Sequence, residues 1–388
     1  MADAVIIGAC RSPAGGFLGS LSHLSAPRLC SLVIKEALKR SGISPLRIDE
    51  VIMGNVISAG LGQNPARQAA LKAGLPETVA AFTVNKVCAS GLKAVALGAE
   101  AIMAGSAELV VAGGMESMSN APFLLTGMRD RKYGDSAVAD AMLHDGLMDC
   151  YYGEHMGELC ELTVSRYSIT RKAQDAFALK SQMNAQSAAK RGYFKDELVP
   201  VRIKGHAPVS FDETIRWDTT IEALGRLRPV FKENGTITAG NSPGLNDGAA
   251  VLILASKSVA KRLKIKPLAS IIGWSSGHLD PRWYTLAPVV SVKKLLKKTG
   301  LSIADFDLIE ENEAFAAQTL AVIKELRLDR AKVNVNGGAI ALGHPIGASG
   351  ARCLVTLVHA LKNRRKKLGL ATMCLGGGGA MSMAVRAF

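Results

Sequence analysis

The chain has 388 residues, of which 48% are hydrophobic and 5% aromatic, and its formal net charge is +14. This length allows two to three domains with a large core, and a basic chain suits a polyanionic partner such as nucleic acid, anionic lipid or a phosphate-bearing small molecule. Seven irregularly spaced cysteines without a C-x-x-C pair argue against a disulfide framework or a zinc knuckle.

The predicted elements alternate between strands and helices from the start of the chain. A strand at residues 4–8 is followed by a helix at 26–41, strands near 49–53 and 83–87, a helix at 90–104 and a strand at 110–118. Because a strand already occupies residues 4–8, we expect no signal peptide and a cytoplasmic protein. No apolar run is expected to reach the ~18 residues of a membrane span.

The same order of elements recurs in the second part of the chain. Ile6-Ile7-Gly8 returns as Ile271-Ile272-Gly273, and Ala89-Ser90-Gly91 returns as Ala348-Ser349-Gly350. Such repeats in register predict a duplication. Each half has the pattern β-α-β-β-α-β, which predicts an α/β fold with a mostly parallel sheet covered by helices.

An insertion separates the two halves. Residues 119–247 are the most charged and irregular part of the chain, with one clear helix at 171–191. The closing strand of the first half is delayed to residues 248–256. Because the insertion follows a strand end, we expect it to lie over one end of the sheets as a lid or binding platform.

Cys88 is the first candidate catalytic residue. It lies between a strand and the amino end of a helix that is apolar on nearly all sides, and this helix is therefore predicted to be buried. The partial positive charge at the amino end of that helix favours a thiolate, which is the nucleophilic form. The alternative is that Cys88 only fills space in the core.

Three further motifs contain candidate residues. The duplication places His344, in a glycine-rich turn, near the pseudo-twofold partner of Cys88, where it could activate the thiol. Cys374 precedes a run of four glycines whose N–H groups could bind an oxyanion. The alternative is a glycine-rich turn with an inert cysteine. Asn312 orients a water, donates to an oxyanion, or caps the following helix, and these alternatives stay open.

The motifs VNKVCASGLKAV, ENEAFAAQ, NVNGGAIALGHPIGASGAR and CLGGGGA resemble those of the thiolases, most closely the biosynthetic type that forms acetoacetyl-CoA. The resemblance extends over essentially the whole chain. It implies a thiolase fold, in which two duplicated halves, residues 1–118 with 248–269 and residues 270–388, form a five-layered αβαβα core. Residues 119–247 would be a loop domain that binds coenzyme A (CoA).

The resemblance also implies the role of each site residue. Cys88 would take up the acyl group as a thioester, and His344 would activate it and form an oxyanion hole with a water held by Asn312. Cys374 would remove the α-proton of the second acetyl-CoA, and the N–H groups of Cys88 and Gly376 would form a second oxyanion hole. The expected CoA contacts are Leu147, His155, Met156, Arg216, Phe231, Ala239, Ser242, Ala314 and Phe315.

The resemblance implies CoA thioesters as substrates and no separate cofactor, metal, nucleic-acid or membrane partner. It implies a homotetramer or homodimer, and residues 128–135 lie where tetrameric members make a contact. The phosphates of CoA then explain the positive charge.

Four positions depart from the family pattern. Pro243 replaces a serine that bonds the pantetheine arm, Tyr284 and Leu286 are bulkier than the usual residues near the acyl pocket, and Glu311 places a carboxylate beside Asn312. These departures bear on acyl specificity and CoA affinity. Two alternative functions stay open: a degradative 3-ketoacyl-CoA thiolase that acts on longer chains, and a non-catalytic thiolase-like protein that binds lipid or nucleic acid.

Overall fold

The structure is a computed structural model that describes residues 3–129 and 132–388. The first half contains β1 (Ala4–Arg11), β2 (Gly15–Gly16), α1 (Ala26–Ser41), β3 (Glu50–Gly54), α2 (Pro65–Ala73), β4 (Ala80–Val84), α3 (Ser90–Ala104) and β5 (Leu109–Ser117). The insertion contains β6 (Phe123–Leu125), β7 (Val138–Asp140), α4 (Met156–Tyr167), α5 (Arg171–Lys190) and α6 (Ile221–Gly225).

The remaining elements belong to the closing strand of the first half and to the second half. They are β8 (Asn246–Ser256), α7 (Lys257–Arg262), β9 (Ala269–His278), α8 (Ala287–Thr299), β10 (Leu308–Glu311), α9 (Ala316–Leu326), α10 (Ala339–Leu342), α11 (Ile346–Asn363), β11 (Leu368–Leu375) and β12 (Gly379–Ala387). Short 3₁₀ or π turns lie at Pro45–Arg47, Met118–Asn120, Leu143–Leu147, Pro281–Leu286 and Ile303–Asp305.

The strands of the two halves form one continuous sheet in the order β10-β11-β12-β9-β1-β8-β5-β3-β4. Within the halves, β3 pairs in parallel with β4 and β5, and β10 pairs in parallel with β11. In the sheet, the strands of the two halves pair where β1 meets β9, through Val5 with Ser270 and Ile6 with Ala269. The long closing strands β8 and β12 run antiparallel to their neighbours.

Helices lie between and outside the two parts of the sheet. One apolar cluster joins α3 and α11 to β5 and β8 of the first half and to β11 and β12 of the second. A second cluster packs α1 and α2 on the outer face of the first half. A third packs α8 and α9 on the outer face of the second half. The predicted α/β fold with five αβαβα layers is therefore confirmed.

The duplication is visible in the topology. Each half contains helices beyond the predicted pattern, among them α2 in the first half and its counterpart α9 in the second. The counterpart of β4 in the second half is reduced to a single parallel bridge between Ile309 and Val333. The helix predicted in the insertion is α5. The domain boundaries stay predictions, and the predicted contact loop at 128–135 includes Asp130 and Arg131, which lie outside the described residues.

The expectation that no apolar run reaches the length of a membrane span is wrong. Among the described residues, the stretch Val87–Ala104 is long and apolar enough to cross a membrane. Just over half of this stretch, 56%, is buried inside the protein. Its apolar composition follows from its position, because α3 is in the central layer and has a sheet or a helix on most sides.

The central helices α3 and α11 approach each other at two glycines. A Cβ atom on Gly350 would lie 2.6 Å from the backbone nitrogen of Leu92, and one on Gly91 would lie 3.0 Å from that of Ala351. Both glycines belong to the repeated Ala-Ser-Gly motif. The motif therefore sets the distance between the two helices and brings their amino ends together.

We expect Gly350→Ala to lower the free energy of unfolding by about 2 kcal/mol, because the backbone of the facing helix cannot move aside without cost. Gly225→Ala is the matched control, since a Cβ there meets nothing within 4 Å. Urea unfolding of both variants gives the comparison. Equal stabilities would contradict the close approach of α3 and α11.

Candidate active site

A cavity of about 360 Å³ lies where the amino ends of α3 and α11 meet the insertion. Most of the predicted site residues line it. From the catalytic set these are Cys88, His344, Cys374 and Gly376, and from the predicted CoA contacts Leu147, His155, Met156, Arg216, Phe231, Ala239, Ser242, Ala314 and Phe315. The predicted residue outside the lining is Asn312.

Cys88 follows a strained turn between β4 and α3. The preceding residue, Val87, has a φ of 47°, which is unfavourable for a β-branched side chain. The turn is held because Val87 N–H donates to Asn85 Oδ1 at 2.9 Å and Ser90 Oγ donates to the Val87 carbonyl at 2.6 Å. Ser90 Oγ also accepts from Lys86 N–H. These bonds fix Cys88 at the entrance to the helix.

The pKa of the Cys88 thiol is shifted in the direction opposite to the sequence-based prediction. Burial raises it to about 12, although the N–H groups of Gly376 and of Cys88 itself point at the sulfur and lower it, and Glu116 raises it further. The predicted helix-end stabilisation of a thiolate is wrong for the resting state, because removing the thiol from water costs more than these dipoles return. Cys88 is therefore a neutral thiol that needs a base.

His344 has its tautomer set by a serine of the same motif. Ser349 Oγ donates its only proton to the Pro345 carbonyl at 2.8 Å, so it accepts from His344 Nδ1. Nδ1 therefore bears the proton, and Nε2 has a free lone pair. Asn246 Oδ1 accepts from the His344 backbone N–H at 2.8 Å and fixes the turn. This arrangement presents a proton acceptor to the cavity.

The electrostatic surroundings keep His344 neutral. Burial lowers the pKa of its imidazole to about 3, and the positive charge of Arg352 lowers it further. Together with the raised thiol pKa of Cys88, this makes the resting pair a neutral thiol and a neutral imidazole. Such a pair reacts only when the sulfur bonds to a substrate while the thiol proton moves to the imidazole.

Glu116 is a residue that the sequence analysis did not select. Its buried carboxylate accepts from Asn55 Nδ2 at 2.6 Å, from Val56 N–H at 3.0 Å and from Gly347 N–H at 2.9 Å. Burial raises its pKa to about 7. It joins β5 of the first half to the start of α11. The sequence signal that could have identified Glu116 is its position in a segment that the duplication repeats.

Cys374 lies at the end of β11, just before the turn at residues 376–378. The turn needs glycine, because Gly377 and Gly378 have φ values of 76° and 78°. Burial raises the pKa of the Cys374 thiol well above its usual value, and the neighbouring Cys88 raises it further. The two neighbouring thiols of this cavity therefore do not ionise together.

Asn312 is fully buried behind the lining and does not cap a helix. Helix α9 begins at Ala316 with Phe315 at its cap position, so the helix-cap alternative for Asn312 is wrong. The Asn312 Nδ2 group has no hydrogen-bond partner among the described residues, and Oδ1 has only a weak contact with Cys353 Sγ at 3.9 Å. A buried donor without a partner fits a bound water or an oxyanion.

Aromatic rings form one wall of the cavity. His155 stacks on Phe231 with centroids 4.6 Å apart, and Phe231 meets Phe315 edge-on at 5.7 Å. Gly157 permits this stack, because a Cβ there would lie 2.3 Å from the Phe231 ring. Arg216 places a positive charge among the lining residues and is itself exposed. The cavity is thus apolar inside with a cation in contact with solvent.

Comparison with known proteins decides the family. The profile of the thiolase N-terminal domain matches residues 4–258, and that of the thiolase C-terminal domain matches residues 265–387. The chain belongs to the thiolase family. The family indicated by the sequence motifs is therefore confirmed.

Relatives of this thiolase match over nearly their whole length. Two curated relatives named acetyl-CoA acetyltransferase, from Escherichia coli and Cupriavidus necator, are 54% and 52% identical over 99% of each chain. A solved structure described as the acetyl-CoA acetyltransferase of Bacillus anthracis is 43% identical, with a TM-score of 0.96 over 100% of this chain and 99% of that chain.

Several residues of the thiolase cavity escaped the sequence analysis. Most are apolar and lie in the insertion or beside known motifs: Met118, Met142, Leu143, Gly146, Val230, Gly244, Leu245 and Ile346. Their segments have no helical or strand periodicity, so no pattern distinguished them. Among the described residues, no group of three or more His, Cys, Asp or Glu side chains is placed to hold a metal ion.

The departures from the thiolase pattern have defined places. Pro243 lines the cavity without an N–H donor, and Ser242 Oγ donates to the Thr238 carbonyl at 2.7 Å, so its proton is already engaged. Tyr284 is buried in the lining, and its hydroxyl donates to the Met156 carbonyl at 2.8 Å. The Glu311 carboxyl is fully buried and accepts from Gln318 Nε2 at 2.8 Å.

We expect alkylation of Cys88 by iodoacetamide in the resting thiolase to rise about tenfold per pH unit between pH 7 and 10, because only the thiolate reacts and its fraction keeps growing below the raised pKa. Peptide mass spectrometry measures the rate at this residue, with Cys88→Ser as the control for assignment. A plateau near neutral pH would indicate a thiolate–imidazolium pair instead.

Proposed function

We propose that the chain catalyses the reversible condensation of two acetyl-CoA molecules to acetoacetyl-CoA and CoA through an acyl-enzyme at Cys88. The observation that supports this best is the meeting of Cys88, His344 and Cys374 around one cavity, with the N–H groups of Gly376 and Cys88 directed at the sulfur. The names of relatives about half identical in sequence agree with this activity.

In the first step, Cys88 Sγ attacks the thioester carbonyl of acetyl-CoA while His344 Nε2 takes the thiol proton. The tetrahedral intermediate collapses, and the CoA sulfur leaves with the proton that His344 returns. The products are an acetyl thioester at Cys88 and CoA. The bond from Nδ1 to Ser349 holds the ring in the tautomer that this transfer needs.

In the second step, His344 Nε2 takes the Cys374 thiol proton, the Cys374 thiolate removes an α-proton from a second acetyl-CoA, and the resulting carbanion attacks the acetyl carbonyl on Cys88. The C–S bond to Cys88 breaks, the acetoacetyl-CoA departs, and the Cys88 thiolate takes the proton held by His344, so both thiols are neutral again. A thiol with a raised pKa gives a strong base once ionised. Acylation also prevents Cys88 from ionising, so no second thiolate opposes the ionisation of Cys374.

Two sets of donors stabilise the oxyanions of these steps. The N–H groups of Cys88 and Gly376 face the sulfur, where the carbonyl oxygen of an acyl group on Cys88 would lie. The unpaired Nδ2 of Asn312 would hold a water that, with His344, faces the carbonyl of the second substrate. Removing one such donor typically costs about 3 kcal/mol of transition-state stabilisation.

The insertion provides the surface for CoA. The aromatic wall at His155, Phe231 and Phe315 would lie along the pantetheine arm, and Arg216 would meet a phosphate. With Pro243 in place of a serine and the Ser242 proton engaged by Thr238, the arm loses one side-chain donor on this side. Contact with the apolar wall therefore contributes more of the binding energy of this arm.

The acyl end of the cavity favours a short chain over the longer chains of a degradative enzyme. Tyr284 is 2% exposed and packs in one cluster with Cys374, Phe315 and Met156. Its bond to the Met156 carbonyl holds the ring in the lining. A ring fixed at this position occupies the volume that additional methylene groups of a longer acyl chain would need.

Assembly and location stay proposals. The hairpin of β6 and β7 exposes Phe123, Leu125 and Val138, each more than half accessible, which suits a contact between copies of the chain in a tetramer. Sedimentation of the full chain as a monomer or dimer would contradict the tetramer. A cytoplasmic location and the absence of a resident cofactor are proposed from the sequence alone.

We expect Cys88→Ser to abolish acyl transfer, because a serine hydroxyl is a far weaker nucleophile at this site. We expect Cys374→Ser to form the acetyl-enzyme but to turn it over at least about 10³-fold more slowly, because the base for the α-proton is lost. Intact-protein mass spectrometry after mixing with acetyl-CoA detects the added acetyl group. An acetyl adduct on Cys88→Ser, or normal turnover by it, would contradict the assignment.

We expect Tyr284→Ala to raise kcat/KM for thiolysis of six-carbon relative to four-carbon 3-ketoacyl-CoA by about tenfold, since each buried methylene contributes on the order of 1 kcal/mol. Tyr284→Phe keeps the ring and loses only the bond to Met156, so it should retain the short-chain preference. Identical chain-length profiles for both variants would show that the ring does not limit the acyl pocket.

A further inference from the structure

A second cavity, of about 380 Å³, lies at the opposite end of α11 from His344. It is formed by β1, the end of α1, the segment after α5 and the last turns of α11. None of its lining residues takes part in the acyl-transfer site. The side chains that determine its chemistry are Cys10, Arg40, Lys195, Asp196, His359 and Lys362.

His359 lines this cavity and has an unpaired ring nitrogen. The ring is 4% exposed, and Nε2 lies 3.0 Å from the Ala9 carbonyl, which can only accept, so Nε2 bears the proton. In the neutral ring, Nδ1 is then an acceptor, and it has no hydrogen-bond partner among the described residues. A buried acceptor without a protein partner accepts from a bound water or from another bound molecule that carries a donor.

Basic groups surround this acceptor. The Arg40 guanidinium is held by Glu36 Oε1 at 2.8 Å and by the carbonyls of Asp196 and Leu198 at 2.7 and 2.8 Å. Lys362 Nζ pairs with Asp196 at 3.1 Å.

Lys195 Nζ has no ion-pair or hydrogen-bond partner among the described residues, and Cys10 remains a neutral thiol because burial raises its pKa to about 11. Three cations, Arg40, Lys195 and Lys362, against the two carboxylates of Asp196 and Glu36 leave one excess positive charge around the cavity.

We propose that this cavity binds hydrogen phosphate. The anion must be negative to satisfy the cations and must still bear a proton that it can donate to His359 Nδ1. Inorganic phosphate retains one proton at neutral pH, whereas sulfate retains none and phosphate monoesters lose their last proton near pH 6. The P–O–H group donates to Nδ1, and the remaining oxygens accept from Lys195 and the adjacent basic side chains.

Isothermal titration calorimetry of the full chain at pH 8, a pH at which histidine is ordinarily neutral, tests this proposal. Inorganic phosphate, sulfate and glycerol 3-phosphate are titrated separately. We expect phosphate to bind at least about tenfold more tightly than the other two, as removal of one charge-assisted hydrogen bond predicts. Equal affinities for phosphate and sulfate would overturn the assignment of the proton donor.

Variants locate the binding site. Lys195→Ala should weaken phosphate binding about tenfold, whereas Lys72→Ala, which removes an exposed charge on α2, should not change it. His359→Gln should lose the preference for phosphate over sulfate, because an amide can donate to either ion. Loss of binding in Arg216→Ala with retention in Lys195→Ala would assign the ion to the acyl-transfer cavity and overturn the proposal.

A crystal soaked in arsenate, which keeps a proton as phosphate does, provides an independent measurement. We expect an anomalous peak within hydrogen-bond distance of His359 Nδ1. A crystal with arsenate only beside Arg216, or with none bound, would contradict a phosphate site at this end of α11.

Discussion

The active site depends on the close crossing of α3 and α11. Gly91 and Gly350 let the two backbones approach, and this approach brings the turn of Cys88 and the turn of His344 to one cavity. Neither half of the duplication holds both groups. The contact of Glu116 with the Gly347 N–H then fixes the start of α11 against β5. Packing in the central layer therefore determines the distance between Cys88 and His344, the proposed nucleophile and base.

Burial makes the resting site neutral, and the reaction must generate its own charges. The thiol pKa values of Cys88 and Cys374 are raised, and the imidazole pKa of His344 is lowered. The same exclusion of water strengthens each N–H donor that faces an oxyanion. The exclusion of water thus disfavours a thiolate in the resting site and strengthens the stabilisation of the oxyanion that develops during acyl transfer.

Much of this architecture could be predicted from the sequence, because repeats and glycine motifs are local signals. The Ala-Ser-Gly repeats indicated the pseudo-twofold relation between Cys88 and His344, and the Gly-rich run indicated the turn after Cys374. The direction of the Cys88 pKa could not be predicted, since desolvation depends on how the insertion covers the thiol. Met142 and Val230 were missed because their contacts are long-range and their segments have no periodicity.

Gly347 stands where the duplication would place a second Cys88, since Ala89 corresponds to Ala348. A side chain there has no room: a Cβ would lie 2.7 Å from the Met115 carbonyl and 2.8 Å from the Glu116 carboxylate. The two repeats have therefore diverged. The first keeps the Cys88 thiol, and the second keeps His344 and Ser349. Each chain consequently holds one reaction centre where the symmetry of its fold would allow two.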